Sequence, residues 1–286
     1  MIKLLLKYIL NSLSLLLKTV WWFMRQIKNE NFKNYIQYKT QNKSLVILAN
    51  GPSLADELLK IDKMINTVDF CVMNNMSKSP LFYKFKPKYY VLTDPLYFKG
   101  QNMSEKENDV YKNMSKVNWK MNLFVPYYSI KSIDIYNKIN NNTNIKIVYY
   151  HTNQYKGFSS IKNYLYTKGL SIPSCQNVLI PSIYIAINMG YNNINLYGVD
   201  HSWTKEIRVD NLNRVCLTDR HFYDNNNNNL TPWISCSGEQ YKMHEILRDL
   251  AYMFEGYHEI KKYAYIKNCK IINCTENSFI DAFDRE

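Results

Sequence analysis

The chain has 286 residues, of which 46% are hydrophobic and 15% aromatic, a globular composition that excludes a disordered protein. This length accommodates one large α/β domain with a full core, or two small ones. The net charge of +12 indicates an anionic partner, such as nucleic acid, a sugar nucleotide or an acidic membrane face. The six cysteines form no C-x-x-C pair, which favours reduced thiols over a zinc site or a disulfide framework.

Residues 1–28 differ from the rest of the chain, because they contain five Lys or Arg, no acidic residue and many large apolar side chains. Lys7 and Lys18 interrupt the apolar runs, so none reaches the roughly 20 residues that a transmembrane helix needs. No small-residue cleavage site follows, which argues against a signal peptide. The pattern predicts an in-plane, membrane-associating amphipathic helix. A helix packed on the protein's own core and a tilted transmembrane helix are the alternatives.

Residues 29–43 form a predicted polar linker, and residues 44–286 a single Rossmann-like α/β domain with a mostly parallel sheet. The predicted strands are Ser44–Ala49, Val68–Met73, Tyr89–Thr93, Asn122–Pro126, Asn144–Tyr149, Asn193–Tyr197 and Lys270–Cys274. The predicted helices are Ser53–Ile61 with Ser53 as its N-cap, Gln176–Met189, Gln240–Lys262 and Ser278–Phe283. Residues 202–239 are predicted to form a lid that includes the low-complexity tract Asp224–Leu230.

The first strand runs into Asn50-Gly51-Pro52-Ser53, directly before a helix. In a parallel sheet, ligands collect at the carboxyl ends of the strands, where the next helix offers free N–H groups. Gly51 allows a close backbone approach, Pro52 stiffens the turn, and Asn50 and Ser53 supply hydrogen-bonding side chains. A plain β-α turn is the alternative interpretation.

The next two strands also end in polar residues, with Asn74 after the second and Asp94 after the third. Such a rim suits a ribose and a base edge better than a pyrophosphate. The sequence contains neither G-x-G-x-x-G nor G-x-x-x-x-G-K-[ST], so dinucleotide and P-loop sites are disfavoured. It also contains no D-x-D, which favours a site without a metal and a donor that leaves as a monophosphate.

Histidines supply the candidate bases, since an imidazole titrates near neutral pH. His201 follows the strand that ends in Gly198-Val199-Asp200, while His221 and His244 lie further along the chain. His151 and His258 are predicted to be structural.

Together these motifs resemble glycosyltransferase family 42, the bacterial lipooligosaccharide sialyltransferases. The resemblance covers residues 45–283 patchily and rests on the motifs Asn50–Leu54, Asn74, Asp94-Pro95, Gly190-Tyr191, Gly198–Asp200 and Cys274–Ser278. Here Asp94 stands where the family has Asn, and Gln176-Asn177-Val178 where it has Thr-Ser-Gly.

The resemblance implies inverting, metal-independent transfer of sialic acid or a related nonulosonic acid from a CMP-sugar to a glycan hydroxyl, with no cofactor. The implied donor-binding residues are Asn50, Gly51, Pro52, Ser53, Asn74, Asp94, Gln176, Asn177, Gly198, Asp200, Ser202 and Tyr223. His244 fits the family's base, with His221 as its rival. His201 or Ser202 falls where the family has a tyrosine that stabilises the departing phosphate.

The implied enzyme is cytoplasmic, peripheral on the inner face of the cell membrane, with a lipid-linked acceptor. Two other functions stay open: a metal-dependent transferase like the pterin pyrophosphokinases, which also carry a Gly-Pro-Ser turn, and a non-catalytic nucleotide- or glycan-binding module. No nucleic-acid-binding motif is found, so a nucleic-acid partner is not expected. A homo-oligomer is left open.

Overall fold

The computed structural model describes residues 2–28, 44–99, 103–131, 137, 139, 141–218, 230–235 and 238–286. The strands are β1 (Ser44–Leu48), β2 (Asp69–Met73), β3 (Tyr89–Val91), β4 (Met121–Pro126), β5 (Ile145–Tyr150), β6 (Asn193–Tyr197), β7 (Ile207–Val209), β8 (Val215–Leu217), β9 (Thr231–Pro232), β10 (Lys270–Asn273) and β11 (Asp284–Arg285). The α-helices are α1 (Ile2–Lys28), α2 (Leu54–Asp62), α3 (Pro80–Phe85), α4 (Glu105–Met114), α5 (Ser159–Thr167), α6 (Leu179–Asn188), α7 (Trp203–Glu206) and α8 (Met243–Ile266).

An eight-stranded parallel sheet in the order β11-β10-β6-β1-β2-β3-β4-β5 organises the described chain. A second sheet is antiparallel and consists of β7, β8 and β9. The predicted Rossmann-like α/β fold with a mostly parallel sheet is therefore confirmed. Since all strands of the large sheet run the same way, their carboxyl ends lie along one edge.

The sheet is covered on both faces, as a parallel sheet requires. Leu45 and Ile47 of β1 belong to a core shared with α6 and α8, whereas Val46 and Leu48 belong to a core shared with α2, α3 and α4. Alternate residues of the strand thus enter opposite cores, which explains why β1 is a continuous apolar run.

The predicted amphipathic helix corresponds to α1, which contacts the domain at its C-terminal half. Trp22 is buried and packs edge-on against Tyr155, with ring centroids 5.6 Å apart. Among the described residues, no helix is long and apolar enough to cross a membrane. The predicted linker 29–43 and tract residues 224–229 lie outside the described residues.

Most predicted strands agree with the structure to within one or two residues at either end, but three helices outside the predicted lid were not predicted. These are α3, α4 and α5, which are six to ten residues long and carry mixed polar and aromatic residues. The predicted lid contains α7 and the small antiparallel sheet in its described part.

The predicted helix Ser278–Phe283 is wrong, since the chain is irregular there and continues into the edge strand β11. Asn277 has a left-handed backbone with φ of 57°. The Arg285 guanidinium donates to the carbonyls of Thr275 at 2.7 Å and Ser278 at 2.7 Å. These carbonyls are therefore satisfied by a side chain instead of by the N–H groups of a helical turn.

Candidate functional site

A cleft of about 910 Å³ opens at the carboxyl edge of the large sheet. The segments after β1, β2, β3, β4, β5 and β6 all contribute to its lining. Side chains from α8 and from the segment 233–235 line the opposite side. The location is the one at which open parallel sheets bind ligands.

The turn between β1 and α2 is fastened to the turn after β6. The Gly51 N–H donates to the Gly198 carbonyl at 2.9 Å. The Ser53 hydroxyl donates to Asp200 Oδ2 at 2.8 Å, and the Ser53 N–H donates to Asp200 Oδ1 at 3.3 Å. The Asp200 carboxylate therefore occupies the helix N-terminus that the sequence predicted for a ligand.

Ser53 occupies the predicted N-cap position of α2, but its side chain makes no cap hydrogen bond because the hydroxyl donates to Asp200 instead. This arrangement also explains Gly51: a Cβ atom at this position would lie 1.9 Å from Asp200 Oδ2 and 2.5 Å from the Gly198 carbonyl oxygen. The two turns can only approach this closely because residue 51 has no side chain.

Two amide side chains follow adjacent strands and line the cleft. Asn50 Nδ2 donates to the Met73 carbonyl at 3.2 Å. Asn50 Oδ1 and Asn74 Oδ1 are buried and have no hydrogen-bond partner among the described residues. Buried acceptors are normally paired, so both oxygens are suited to a ligand that donates hydrogen bonds.

Asp94 also lines the cleft, where its position is set by a local turn. Its carboxylate accepts from the Leu96 N–H at 2.9 Å and caps the 3-10 helix that begins at Pro95. Asn and Asp are equally good at this capping task. The Asp94-for-Asn difference from glycosyltransferase family 42 is therefore compatible with the same backbone.

A hydrogen-bond chain runs from the segment before α6, through Tyr257 of α8, to the turn after β6. Asn177 Nδ2 donates to the Tyr257 hydroxyl at 2.6 Å, and the same hydroxyl lies 3.0 Å from His201 Nδ1. The same hydroxyl also lies 3.4 Å from His201 Nε2. Because Tyr257 accepts from Asn177, we assign its own proton to the closer nitrogen, Nδ1, and the imidazole proton to Nε2. Burial holds the pKa of His201 well below its usual value, so the ring is neutral.

A second group of lining residues, which we call the α8 wall, consists of side chains from helix α8 and from the segment 233–235. Ile246, Asp249, Leu250 and Met253 of α8 face the cleft. Their spacing of three and four residues puts them on one side of the helix. His244 lies in the first turn of α8, is exposed and does not line the cleft.

The Glu57 side chain is buried beneath the turn between β1 and α2. Its Oε2 accepts from the Gly198 N–H at 2.9 Å, whereas its Oε1 is unpartnered among the described residues. Burial, with a smaller contribution from the nearby Asp200 carboxylate, raises the pKa of Glu57 to about 7, although hydrogen bonds such as that from the Gly198 N–H act in the opposite direction. Burial likewise raises the pKa of Asp200.

Most predicted site residues lie together in the cleft. Those lining it are Asn50, Gly51, Pro52, Asn74, Asp94, Gln176, Asn177, Gly198, Asp200, His201 and Ser202. Ser53 contacts the cleft residue Asp200 from below, and His221 and Tyr223 lie outside the described residues.

Sequence reasoning missed Glu57, Tyr257 and Asp249. Each looked like an ordinary helix residue, and only the long-range contacts assign it to the site. Among the described residues, no group of three or more His, Cys, Asp or Glu is placed to hold a metal ion.

Comparison with known proteins places these features in a family. The family model described as 6-hydroxymethylpterin diphosphokinase MptE-like matches residues 23–206, about two thirds of the chain. The match spans β1 to β6 and ends before β7, so it includes every strand-end turn of the cleft and excludes the α8 wall. This is the class named above as the alternative, and it replaces family 42 as the family of the chain. No curated protein matches the sequence.

Two solved structures with similarity to this chain are glycosyltransferases. The MAf glycosyltransferase from Magnetospirillum magneticum AMB-1 is 13% identical over 90% of this chain, with a TM-score of 0.48. The match covers 37% of that protein, so this chain spans little more than a third of its length. A mammalian sialyltransferase is 11% identical over 88% of this chain and 84% of that chain, with a TM-score of 0.35.

Proposed function

This chain belongs to the MptE-like family, and we propose that it is a transferase that moves a nonulosonic sugar from a CMP-activated donor to a glycan hydroxyl. The observation that carries the proposal is the composition of the strand-end wall, which is the part of the cleft lining formed by the turns after β1 to β6. Asn50 and Asn74, each with an unpartnered buried amide oxygen, belong to the lining of a cleft whose described lining contains no Lys or Arg.

The unpartnered oxygens favour the nucleoside part of a donor over its phosphate. Both are hydrogen-bond acceptors, and a phosphate offers only acceptors. A ribose offers two hydroxyl donors and a cytosine an amino group. Leaving either amide oxygen unpaired would cost about 1–3 kcal/mol, so a ligand that pairs with it gains that amount.

The charge of the cleft favours a donor with few phosphates. Asp94, Asp200, Glu206 and Asp249 are all in the described lining. A nucleoside triphosphate would repel these carboxylates strongly unless cations intervened, whereas a CMP-nonulosonic acid carries less negative charge, on one phosphodiester and one sugar carboxylate. The Asp200 carboxylate already satisfies the start of α2, so the donor phosphate is placed nearer Ser202 and the Nε2–H of His201.

The reaction joins an acceptor oxygen to the anomeric carbon while the bond from that carbon to the phosphate oxygen breaks. CMP leaves with the bonding electron pair, and the acceptor proton passes to a base. Asp249 is the base we propose, because it is half-buried, lines the wall opposite the donor side and belongs to a rigid helix. His201 is unsuited to this task, since its Nδ1 lone pair faces Tyr257, and it acts instead as a neutral donor to the departing phosphate.

A diphosphokinase is the second candidate, and the description of the family as diphosphokinase-like favours it. In that reaction the four carboxylates of the cleft would face a divalent cation carried by ATP. The strand-end wall would still bind a ribose and a base. The two candidates therefore share the site but differ in the number of phosphates and in their need for a cation.

The deciding experiment compares product formation by the purified full chain in two reactions. One contains a CMP-nonulosonic acid with EDTA, and the other contains ATP, Mg²⁺ and a hydroxymethylpterin. We expect slow release of CMP by hydrolysis in the first, since water replaces a missing acceptor, and no release of AMP in the second. Formation of AMP and a pterin diphosphate without CMP release would replace the proposal with the second candidate.

A further inference from the structure

Helix α1 presents two different faces along its length. Thr19, Trp22 and Gln26 are buried against the domain, and Leu15 is half-buried, which gives spacings of four, three and four residues. Such a spacing defines one side of a helix. Except for Phe23, which is half-buried, all other described side chains of α1 are exposed.

The domain-facing side is held by specific contacts. The Thr19 hydroxyl lies 2.6 Å from the Tyr155 hydroxyl, and Asn153 Nδ2 donates to Gln26 Oε1 at 2.8 Å. These contacts fix the rotation of α1 about its axis, so the direction in which its other residues point is also fixed.

The outward side is a stripe of large apolar residues, which we call the outer stripe. Its members are Ile9, Leu13, Leu16, Val20 and Met24, and they are between 48% and 65% exposed. At about 100° per residue, the centre of the outer stripe lies about 130° around the helix from the domain-facing side. Leu10, Leu17 and Trp21, which are 60% to 63% exposed, extend the apolar surface further around the helix. A single exposed apolar side chain needs no explanation, but a contiguous apolar surface does.

Positive charge borders the outer stripe. Lys7, Lys18 and Arg25 are exposed and share one edge of the helix, between the outer stripe and the domain. The Arg25 guanidinium lies 5.4 Å from the Trp21 ring centroid, which gives that edge an aromatic neighbour. Residues 2–28 contain no Asp or Glu to offset these cations.

We propose that the outer stripe docks onto the surface of an anionic lipid bilayer, with α1 lying in the plane of the membrane. Apolar side chains enter the boundary between headgroups and acyl chains, and the basic edge pairs with lipid phosphates. A second copy of this chain would match the apolar residues but would bring the same positive edges together, so charge favours lipid.

The docking also positions the cleft. Asn153 and Tyr155, which hold α1, alternate with Thr152 and Gln154, which line the cleft. The short segment 152–155 therefore connects α1 to the cleft. This step rests on the proposed function, and it implies an acceptor hydroxyl on a lipid-linked glycan.

Vesicle flotation of the full chain tests the docking without any activity. We expect the protein to float with phosphatidylcholine vesicles that contain 30% phosphatidylglycerol and to remain at the bottom without vesicles. Leu13→Gln with Leu16→Gln should reduce the bound fraction about tenfold or more, because two leucine side chains no longer enter the bilayer. Neither leucine contacts the core, and Gln is a good helix former, so folding is preserved.

The matched control is Asn11→Gln with Ser12→Gln, which alters the same helical turn away from the outer stripe without changing charge. It should bind like the unmodified chain. Lys7→Gln with Lys18→Gln should weaken binding severalfold on the anionic vesicles. Equal flotation of the leucine variant and its control would overturn the proposal. So would a dimer that the leucine variant dissociates, in a chain that binds no vesicles.

Discussion

The two walls of the cleft are built in different ways. The strand-end wall consists of backbone turns that hydrogen-bond to one another, as between Gly51 and Gly198, and lies wholly within the family match. The α8 wall consists of side chains on one helix and an adjacent segment, and lies outside the match. A change in the first wall disturbs the fold and donor binding together, whereas a change in the second alters chemistry on an intact scaffold.

Substitution of Gly51 by Ala tests the rigidity of the strand-end wall. The new Cβ atom would meet Asp200 Oδ2 at 1.9 Å and the Gly198 carbonyl, so one turn must shift. We expect the free energy of unfolding to fall by about 3 kcal/mol in urea titrations. Gly238→Ala is the control, since it has open space and only a left-handed backbone to strain, at a cost of about 1 kcal/mol. Equal losses in the two variants would show that the turns are not interlocked.

Asp249→Asn tests the α8 wall and the proposed base. We expect the rate of sugar transfer to fall about 100-fold or more, because an amide cannot accept the acceptor proton. The affinity for CMP and the unfolding midpoint should stay unchanged. His244→Ala should leave the rate unaltered, since that side chain is exposed outside the cleft. A rate loss in the His244 variant alone would return the base to His244.

Glu57→Gln tests the acid that supports the strand-end wall from below. The pKa of Glu57 is raised from its ordinary value to about 7, so the folded state prefers the neutral form. The stability that this preference contributes is complete below pH 4.5 and is lost as pH rises through 7. Between pH 5 and 8 we expect the unmodified chain to lose about 2 kcal/mol relative to the variant, after allowance for solvent screening. Parallel pH profiles from denaturant titrations would contradict this account.

Asn74→Gly gives the smallest expected effect and isolates the amide oxygen. Asn74 has a φ of 46°, which glycine adopts freely, so the backbone should keep its course. Loss of the unpartnered oxygen should weaken CMP about tenfold in calorimetry. Unchanged affinity would mean that the nucleoside does not reach the end of β2.

The sequence predicted features that follow from local patterns. The apolar run of β1 and the turn residues Asn50-Gly51-Pro52-Ser53 specify a buried strand, a tight turn and a helix without reference to the rest of the chain. The hydrogen bond between Ser53 and Asp200 could not be predicted from local sequence patterns, because the two residues are 147 positions apart in the chain. The helix predicted at Ser278–Phe283 was wrong for the same reason, because carbonyls in this region accept hydrogen bonds from the Arg285 side chain on the edge strand β11.

The family assignment is a further example of this difference. Short motifs at strand ends are shared by several nucleotide-using families, and they pointed to a nucleotide site without separating one family from another. What separates the candidates physically is the charge of the described cleft lining, to which Asp94, Asp200, Glu206 and Asp249 contribute from four segments. That sum appears only when the chain is folded.

The measurement that tests the central claim most directly is a thermal-shift titration of the full chain with CMP, UDP, GDP and ATP, each with and without EDTA. A millimolar nucleotide with a micromolar Kd stabilises the folded state by about 4 kcal/mol, which is easily detected. We predict stabilisation by CMP that EDTA does not reduce and that Asn74→Gly weakens. Stabilisation by ATP alone, abolished by EDTA, would contradict the claim and identify the cleft as a diphosphokinase site.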